Sequence, residues 1–314
     1  MNSTELAAAC GFAPAAGEGA RQVQGIFAGD LLSWAMGRAK EGDAWFTVMG
    51  NVNTVAVAAL TDCACVVLCH GGGKAGPAAA AGMSALRGDL HVHTCLSPCA
   101  DDALTPAMAA GMAKLAGADV IAVTDHNSAR NLPAAQAACQ AYGLRLLPGV
   151  EVNTAEEIHL LCYFSRVKTA LQFGAILYEA LPAFPYDPAI WGRQLVVDEE
   201  DHVLDEVEKL LTGAVRLTLA EVAALCRRMG GVPVPAHADA DSYSVFSVLG
   251  GWPMDVDFEL LEVKFPERAE TLMAAGLLPA DRPVLTSSDA HCIEAVASRM
   301  STLEEGSPLY RLLG

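Results

Sequence analysis

The sequence predicts an α/β protein. A small α/β unit comes first, followed by a larger unit of repeated β/α elements forming a mainly parallel sheet or barrel. Three observations carry this expectation. Ala-rich helical segments alternate with short Val/Ile/Leu-rich strands along most of the 314 residues. A Gly- and Ala-rich tract at 71–82, GGGKAGPAAAAG, divides the chain. Downstream of it, one apolar strand after another ends in a polar residue, and a β/α barrel gathers its strand ends on one rim.

Before the tract, a helix is expected over 30–40 (DLLSWAMGRAK) with Asp30 as its N-cap, a strand over 44–48, a helix over 53–60 and a strand over 64–69. After it, strands are expected at 87–92, 119–124, 145–148, 158–163, 232–236, 259–263 and 283–286. Helices are expected at 106–116, 132–142, 203–212, 218–229 and 267–275. Residues 168–215 hold fewer strands and read as a helical insertion, a lid over the cleft. Its acidic run, Asp198-Glu199-Glu200-Asp201, reads as a solvated face. The domains are thus expected at 1–80 and 87–314.

Composition narrows the function. Net charge is −17, against any broad polyanion-binding surface, so no extended nucleic acid is expected as a partner. A local basic pocket for one phosphate is compatible with that total. The longest apolar runs, Val55–Leu60 and Cys65–Cys69, are too short to span a bilayer, and the N-terminus does not read as a signal peptide. A cytoplasmic protein without a membrane partner is the expectation. The ten cysteines form no CxxC pair, and most read as buried thiols of a reducing compartment. Cys95, Cys99 and Cys292 lie beside histidines.

The histidines carry the chemistry. In GDLHVHT (88–94), His91 and His93 sit two apart at a strand end, so both imidazoles should project to one side, with Leu90 and Val92 facing away. His126 follows the strand Val120-Ile121-Ala122-Val123, and Glu151 follows Leu146-Leu147-Pro148-Gly149-Val150. His159 precedes Leu160-Leu161, His237 follows Val232–Ala236, and Asp289 and His291 follow Val284-Leu285. Six histidines, Glu151 and Asp289 would crowd one cleft. Without compensation such crowding is costly, and a metal supplies the compensation. His70 and His202 do not share the pattern.

GDLHVHT, VTDHNS, PGVEVNT, VPAHADA and TSSDAH, in that order, resemble the successive motifs of the PHP superfamily (polymerase and histidinol phosphatase domain). The resemblance implies a distorted (β/α)7 barrel and a metal-dependent phosphoesterase with two to three divalent ions, Zn, Mn or Fe. It implies a first metal on His91, His93, Glu151 and Asp289. Glu151 would bridge to a second, completed by His159 and His237. His126 and His291 would hold a third, with a ligand from the loop after HxHT. Counting back from Thr105-Pro106 favours Asp101 there, with Cys99 and Asp102 as alternatives. A thiolate would bias the site toward zinc or iron, whereas oxygen and imidazole ligands leave manganese open.

Hydrolysis of a small phosphate monoester or nucleotide would then use a hydroxide bridging two metals as nucleophile. Glu151, Asp289 and His237 are expected at the reacting centre. Asp125, beside His126, can orient an imidazole or serve as a turn residue. Arg130, close after TDHN, is the first candidate to bind the phosphate, followed by Arg193, Lys264 and Arg299. The tract Ile190-Trp191-Gly192-Arg193-Gln194 can face a nucleotide ring or pack the insertion down. A nuclease acting on short oligonucleotides and a metal-dependent sensor without turnover are the alternatives. Residues 25–70 are similar to the DRTGG-type domain through DLLSWAM and NVNTVAVAAL, although the DRTGG string itself is absent. That similarity implies a regulatory or dimerising role, with a homodimer formed through this unit.

Overall fold

The computed structural model describes residues 2–10, 21–28, 39–47, 63–68, 85–184 and 186–313. The chain divides into two compact units, Met1–Ala80 and Ala81–Gly314. The linker tract at 71–82 and the helices expected over 30–38 and 53–60 lie outside the described residues, and residues 39–40 are not helical.

In the first unit, helix α1 (Ser3–Cys10) precedes strands β1 (Gly25–Ala28), β2 (Asp43–Thr47) and β3 (Cys65–Leu68). They pair in parallel in the order β1-β2-β3. Trp45, fully buried, packs with Cys63, Phe27 and Val66.

The second unit opens with β4 (Leu86–Val92), α2 (Pro106–Leu115), β5 (Val120–Val123), α3 (Leu132–Tyr142) and β6 (Arg145–Asn153). Local chemistry sets these boundaries. Thr105 caps α2, its hydroxyl accepting the Met108 N–H at 3.1 Å ahead of Pro106. Gly143 ends α3 in the left-handed region at φ +64°. Then follow β7 (His159–Tyr163), α4 (Val167–Ala180), α5 (Pro188–Trp191), β8 (Leu195–Val197), β9 (Val203–Glu206), α6 (Leu219–Arg228) and β10 (Val232–Pro235). The chain closes through α7 (Val245–Leu249), β11 (Leu261–Glu262), α8 (Pro266–Ala274), β12 (Val284–Leu285), a 3-10 turn at Ile293–Ala295, β13 (Ser301–Leu303) and α9 (Pro308–Leu312).

Six strands form one sheet in the order β10-β7-β6-β5-β4-β13. The sheet is mixed rather than mainly parallel: β4, β5 and β6 are parallel, whereas β6–β7, β7–β10 and β13–β4 are antiparallel. β11 and β12 form a separate parallel pair. The physical reason is connection length. Only a few residues join β6 to β7, which permits a hairpin but not a crossover. The sheet curls into a half-barrel. Its concave face packs Leu90, Val120, Ala122, Leu161, Val234, Leu285 and Leu303 together. Its outer face packs on α4 and α6 through Phe173, Leu177, Val222 and Cys226, and on α2 and α3 through Ala109, Ala113 and Ala138. Covering on both faces explains why β5 is wholly apolar.

The insertion is not all helical. Residues 203–206, expected in a helix, form β9, an antiparallel partner of β8. The apolar spacing at Val203, Leu204, Val207 and Leu211 suits a helix, yet Val203 and Leu204 are exposed. Gln194 overrides the helical period. Its buried amide donates to the carbonyls of Val207 and Lys209 and accepts the Leu211 N–H at 2.6 Å. The hairpin strap also lies against the loop after β4, where a Cβ on Gly192 would meet the Pro98 carbonyl at 2.0 Å and the Leu195 N–H donates to Cys95 at 2.8 Å.

Candidate metal centre

The strand ends deliver their polar residues to one place. His91 lies on β4 and His93 just beyond it, both fully buried, with their Nε2 atoms 3.3 Å apart. The ladder from β4 to β5 shifts register between Asp89 and Val92, a bulge. As a result Leu90 joins the concave core and Val92 the helix side, rather than both facing one way. Asp89, also fully buried, braces this strand by accepting the N–H groups of Ser288 and Ala297 at 3.0 and 2.8 Å.

Glu151, on β6, is the hub. Its carboxylate lies 3.2 Å from His91 Nε2, 3.3 Å from His93 Nε2, 3.2 Å from His126 Nδ1, 3.0 Å from His159 Nδ1 and 3.5 Å from His237 Nε2. Asp289 Oδ1 is 3.5 Å from both His91 and His93, and the His291 ring stacks on His93 with centroids 4.2 Å apart. His237 and Asp289 adopt φ of +31° and +53°, conformations that non-glycine residues seldom take and that concentrate at functional sites.

Hydrogen bonds at the back fix the tautomers. His91 Nδ1 is 2.9 Å from Glu262 Oε2, so Nδ1 carries a proton and Nε2 is turned toward Glu151. The Ser97 hydroxyl donates to Asp125 at 2.7 Å and receives the His126 N–H at 3.1 Å. Its proton is thereby committed, so His93 Nδ1, at 3.0 Å, must donate to it. Asp125 also accepts both the N–H and hydroxyl of Thr94 at 2.7 Å. It therefore orients His93 through Ser97 and does not touch His126 directly.

Charge follows the geometry. Burial penalises the Glu151 carboxylate, but His159, His91 and His126 outweigh it and hold its pKa well below the usual range. Asp289 is likewise held low, against its burial, by His91 and His93. Burial opposes protonation of His93, yet Asp289 and Glu151 push its pKa up to about 9. Burial drives His126 well down, and burial with His93 lowers His291 to about 4.

These donors fit a cation. His126 Nδ1 and Glu151 Oε1 are buried and make no hydrogen bond. The Nε2 atoms of His91 and His93 face each other and carboxylate oxygens. Carboxylates and imidazoles crowded in a buried site are costly unless positive charge, as protons or as a metal ion that displaces them, lies among them. Among the described residues, three sets at this centre have ligand atoms within 4.8 Å of one another and could hold metal: His91/His93/Glu151, His126/Glu151/His159 and His93/His126/His291; a fourth, Asp198/Glu200/His202, lies on the exposed β8–β9 turn. Imidazole and carboxylate ligands suit Zn, Mn or Fe.

The other expected residues make different contacts. The Asp101 side chain is exposed, and its N–H donates to the His291 carbonyl at 2.9 Å. Asp102 and Cys99 are also exposed. Arg130 pairs with Asp205 of β9 at 2.7 Å, and Arg193 with Glu206 at 3.1 Å. Arg299 donates to the Lys264 carbonyl. The cation lining the cavity of about 150 Å³ at the centre is Lys264, whose Nζ is 3.1 Å from Asp289 Oδ2. Asp239, fully buried, receives the N–H groups of Lys264 and Phe265, each at 2.7 Å, and so fixes the lysine in place. Glu262 escaped the sequence reading. Its signal was a lone carboxylate in the apolar run Leu260-Leu261-Glu262-Val263.

The family model of the PHP domain matches residues 89–220. No curated protein matches the chain. Among solved structures it is similar to a lesion-specific endonuclease from Pyrococcus furiosus, with 18% identity over 67% of this chain and a TM-score of 0.48. The chain spans about half of that protein, 49% of its length. It is also similar to a Bifidobacterium adolescentis protein assigned as a metal-dependent phosphoesterase, with 19% identity over 72% of this chain and 95% of the other, and a TM-score of 0.48. An amidohydrolase from Chromobacterium violaceum, solved with sulfate and no metal, matches with 20% identity over 69% of this chain and 91% of the other, at a TM-score of 0.44.

Proposed function

We propose that the second unit is a metal-dependent phosphoesterase acting on a small phosphate monoester or nucleotide. The observation that carries this reading is Glu151, buried amid five imidazoles with one oxygen lacking any hydrogen bond. In this reading His91, His93, Glu151 and Asp289 hold a first ion, Glu151, His159 and His237 a second, and His126 and His291 a third. The third ion's remaining ligand would come from the loop after β4, by Asp101, Asp102 or Cys99. Divalent ions bound there supply water activation and neutralise charge on the phosphoryl oxygens.

The chain's own residues do the rest. Lys264 offers Nζ to the phosphoryl oxygens from the cavity wall, held there by Asp239 through its backbone. Glu262 and Ser97 keep His91 and His93 in the metal-ready tautomer. The walls of His126, His159 and His237 confine the phosphoryl group beside Glu151. A nuclease would need a basic track toward the cleft. The net charge of −17 and a single lysine lining the cavity favour a small substrate. The first unit would regulate or dimerise, in keeping with its DRTGG-like sequence.

The test is metal content of anaerobically purified wild type against Glu151→Ala, followed by a phosphate-ester screen with the metal found. Two to three equivalents, falling sharply in the mutant, and turnover of one ester are expected. A wild type that binds no metal, even on reconstitution, overturns the reading.

A further inference from the structure

The cavity of about 150 Å³ is half the roughly 300 Å³ at which pockets begin to enclose a whole drug-sized ligand. It has room for the reacting phosphoryl group, and the organic part of an ester has to extend past the lip. Tyr243, Lys264 and Ser242 line the cavity with exposed or half-exposed side chains, Tyr243 at 45% and Lys264 at 41%, and of these only Tyr243 carries a ring. Tyr243 is unusual in three ways. Its φ is +53°, a genuine outlier for a bulky residue. Its carbonyl receives the N–H of His159 at 2.8 Å, which ties its backbone to the cluster. Its ring stacks on the His159 imidazole, with centroids 4.6 Å apart and planes 20° apart.

Burial does not explain the strain, because nearly half of the residue is in solvent. One ring face is spent on His159, and the exposure lies on the remainder, beside the cavity. We infer that Tyr243 is a specificity-determining residue whose open ring face receives a planar, aromatic leaving group of the phosphate ester. The substrate class rests on the phosphoesterase reading above, and the ring preference rests on Tyr243 itself. Once the phosphoryl group sits beside Glu151 and Lys264, the ester oxygen points outward and its substituent lies across the tyrosine. Offset stacking there favours aryl over small alkyl groups.

The experiment compares phenylphosphonate with methylphosphonate, two non-hydrolysable probes, binding to the full chain reconstituted with manganese. Wild type should bind the phenyl compound about threefold to tenfold tighter, the size of an aromatic pair. Tyr243→Gly accommodates the positive φ without strain and should bind both probes alike, whereas Tyr243→Phe should keep the preference. Tyr243 directly precedes the Ser244 cap of α7, so a merely structural role would weaken both probes equally. No preference in wild type, or a preference that survives in Tyr243→Gly, overturns the inference. Turnover of phenyl phosphate, followed in parallel, tests hydrolysis separately: ring preference without turnover leaves the Tyr243 assignment standing and removes the phosphoesterase.

Discussion

Glu262 Oε2 lies 2.9 Å from His91 Nδ1 and also receives the His237 N–H at 3.1 Å, so one buried carboxylate anchors two residues of the cluster. Removing it should free both. We expect Glu262→Ala to lower metal affinity about 10- to 100-fold, and Glu262→Gln, which keeps an acceptor, to lower it less. Competition with a chromogenic chelator measures this. Unchanged affinity in both variants would show that His91 needs no such support.

Lys264 and Arg130 separate two views of phosphate binding. Lys264→Met should reduce kcat/KM for the best ester about 100-fold with no loss of bound metal. Arg130→Met, which breaks only an exposed pair with Asp205, should stay within about twofold. The reverse ranking would return the phosphate to Arg130.

Protons compete with metal here. In the metal-free fold His93 keeps its proton up to about pH 9, while an unfolded histidine releases its own near 6.5. The metal-free protein therefore has this contribution in full below about pH 6.5 and loses it as pH rises toward 9. Metal binding strengthens over the same window because it displaces that proton. The Tm gap between loaded and metal-free protein should widen steadily from pH 6.5 to 9, as calorimetry would read. A constant gap would mean that His93 is neutral throughout.

Gly192 and Gly117 offer a matched pair. Both have positive φ, +91° and +79°, but a Cβ on Gly117 meets nothing while one on Gly192 strikes the Pro98 carbonyl at 2.0 Å. Gly117→Ala should cost about 1 kcal/mol from backbone conformation alone. Gly192→Ala should cost more and lift the hairpin strap off the loop after β4. Chemical denaturation of the two variants gives the comparison, and equal costs would mean that the strap yields freely.

Strand ends were the legible part of this sequence. His91, His93, His126, Glu151, His159, His237, Asp289 and His291 were each marked by standing at the edge of an apolar run, and the structure brings all eight together. Helix α3 fell on its expected residues because Pro133 and Gly143 punctuate both ends. Strand sense was not legible, since Val/Ile/Leu runs look alike in parallel and antiparallel ladders. The β8–β9 hairpin was hidden because one buried amide, that of Gln194, decides against a helical period. Glu262 was hidden for the opposite reason: a lone carboxylate in an apolar run gives no sign of the histidine it will meet, 171 residues away.

That long reach has a consequence for biosynthesis. Asp89 is anchored by Ser288, 199 residues later, and by Ala297, 208 residues later. At about 5–20 residues per second, the strand bearing His91 and His93 waits roughly 10–40 s on the ribosome for the segment that braces it. During that interval paired imidazoles stand on an unfinished sheet edge, able to capture stray ions in incomplete coordination. If the centre holds metal as proposed, its full ligand set exists only after the segment around Asp289 has been translated.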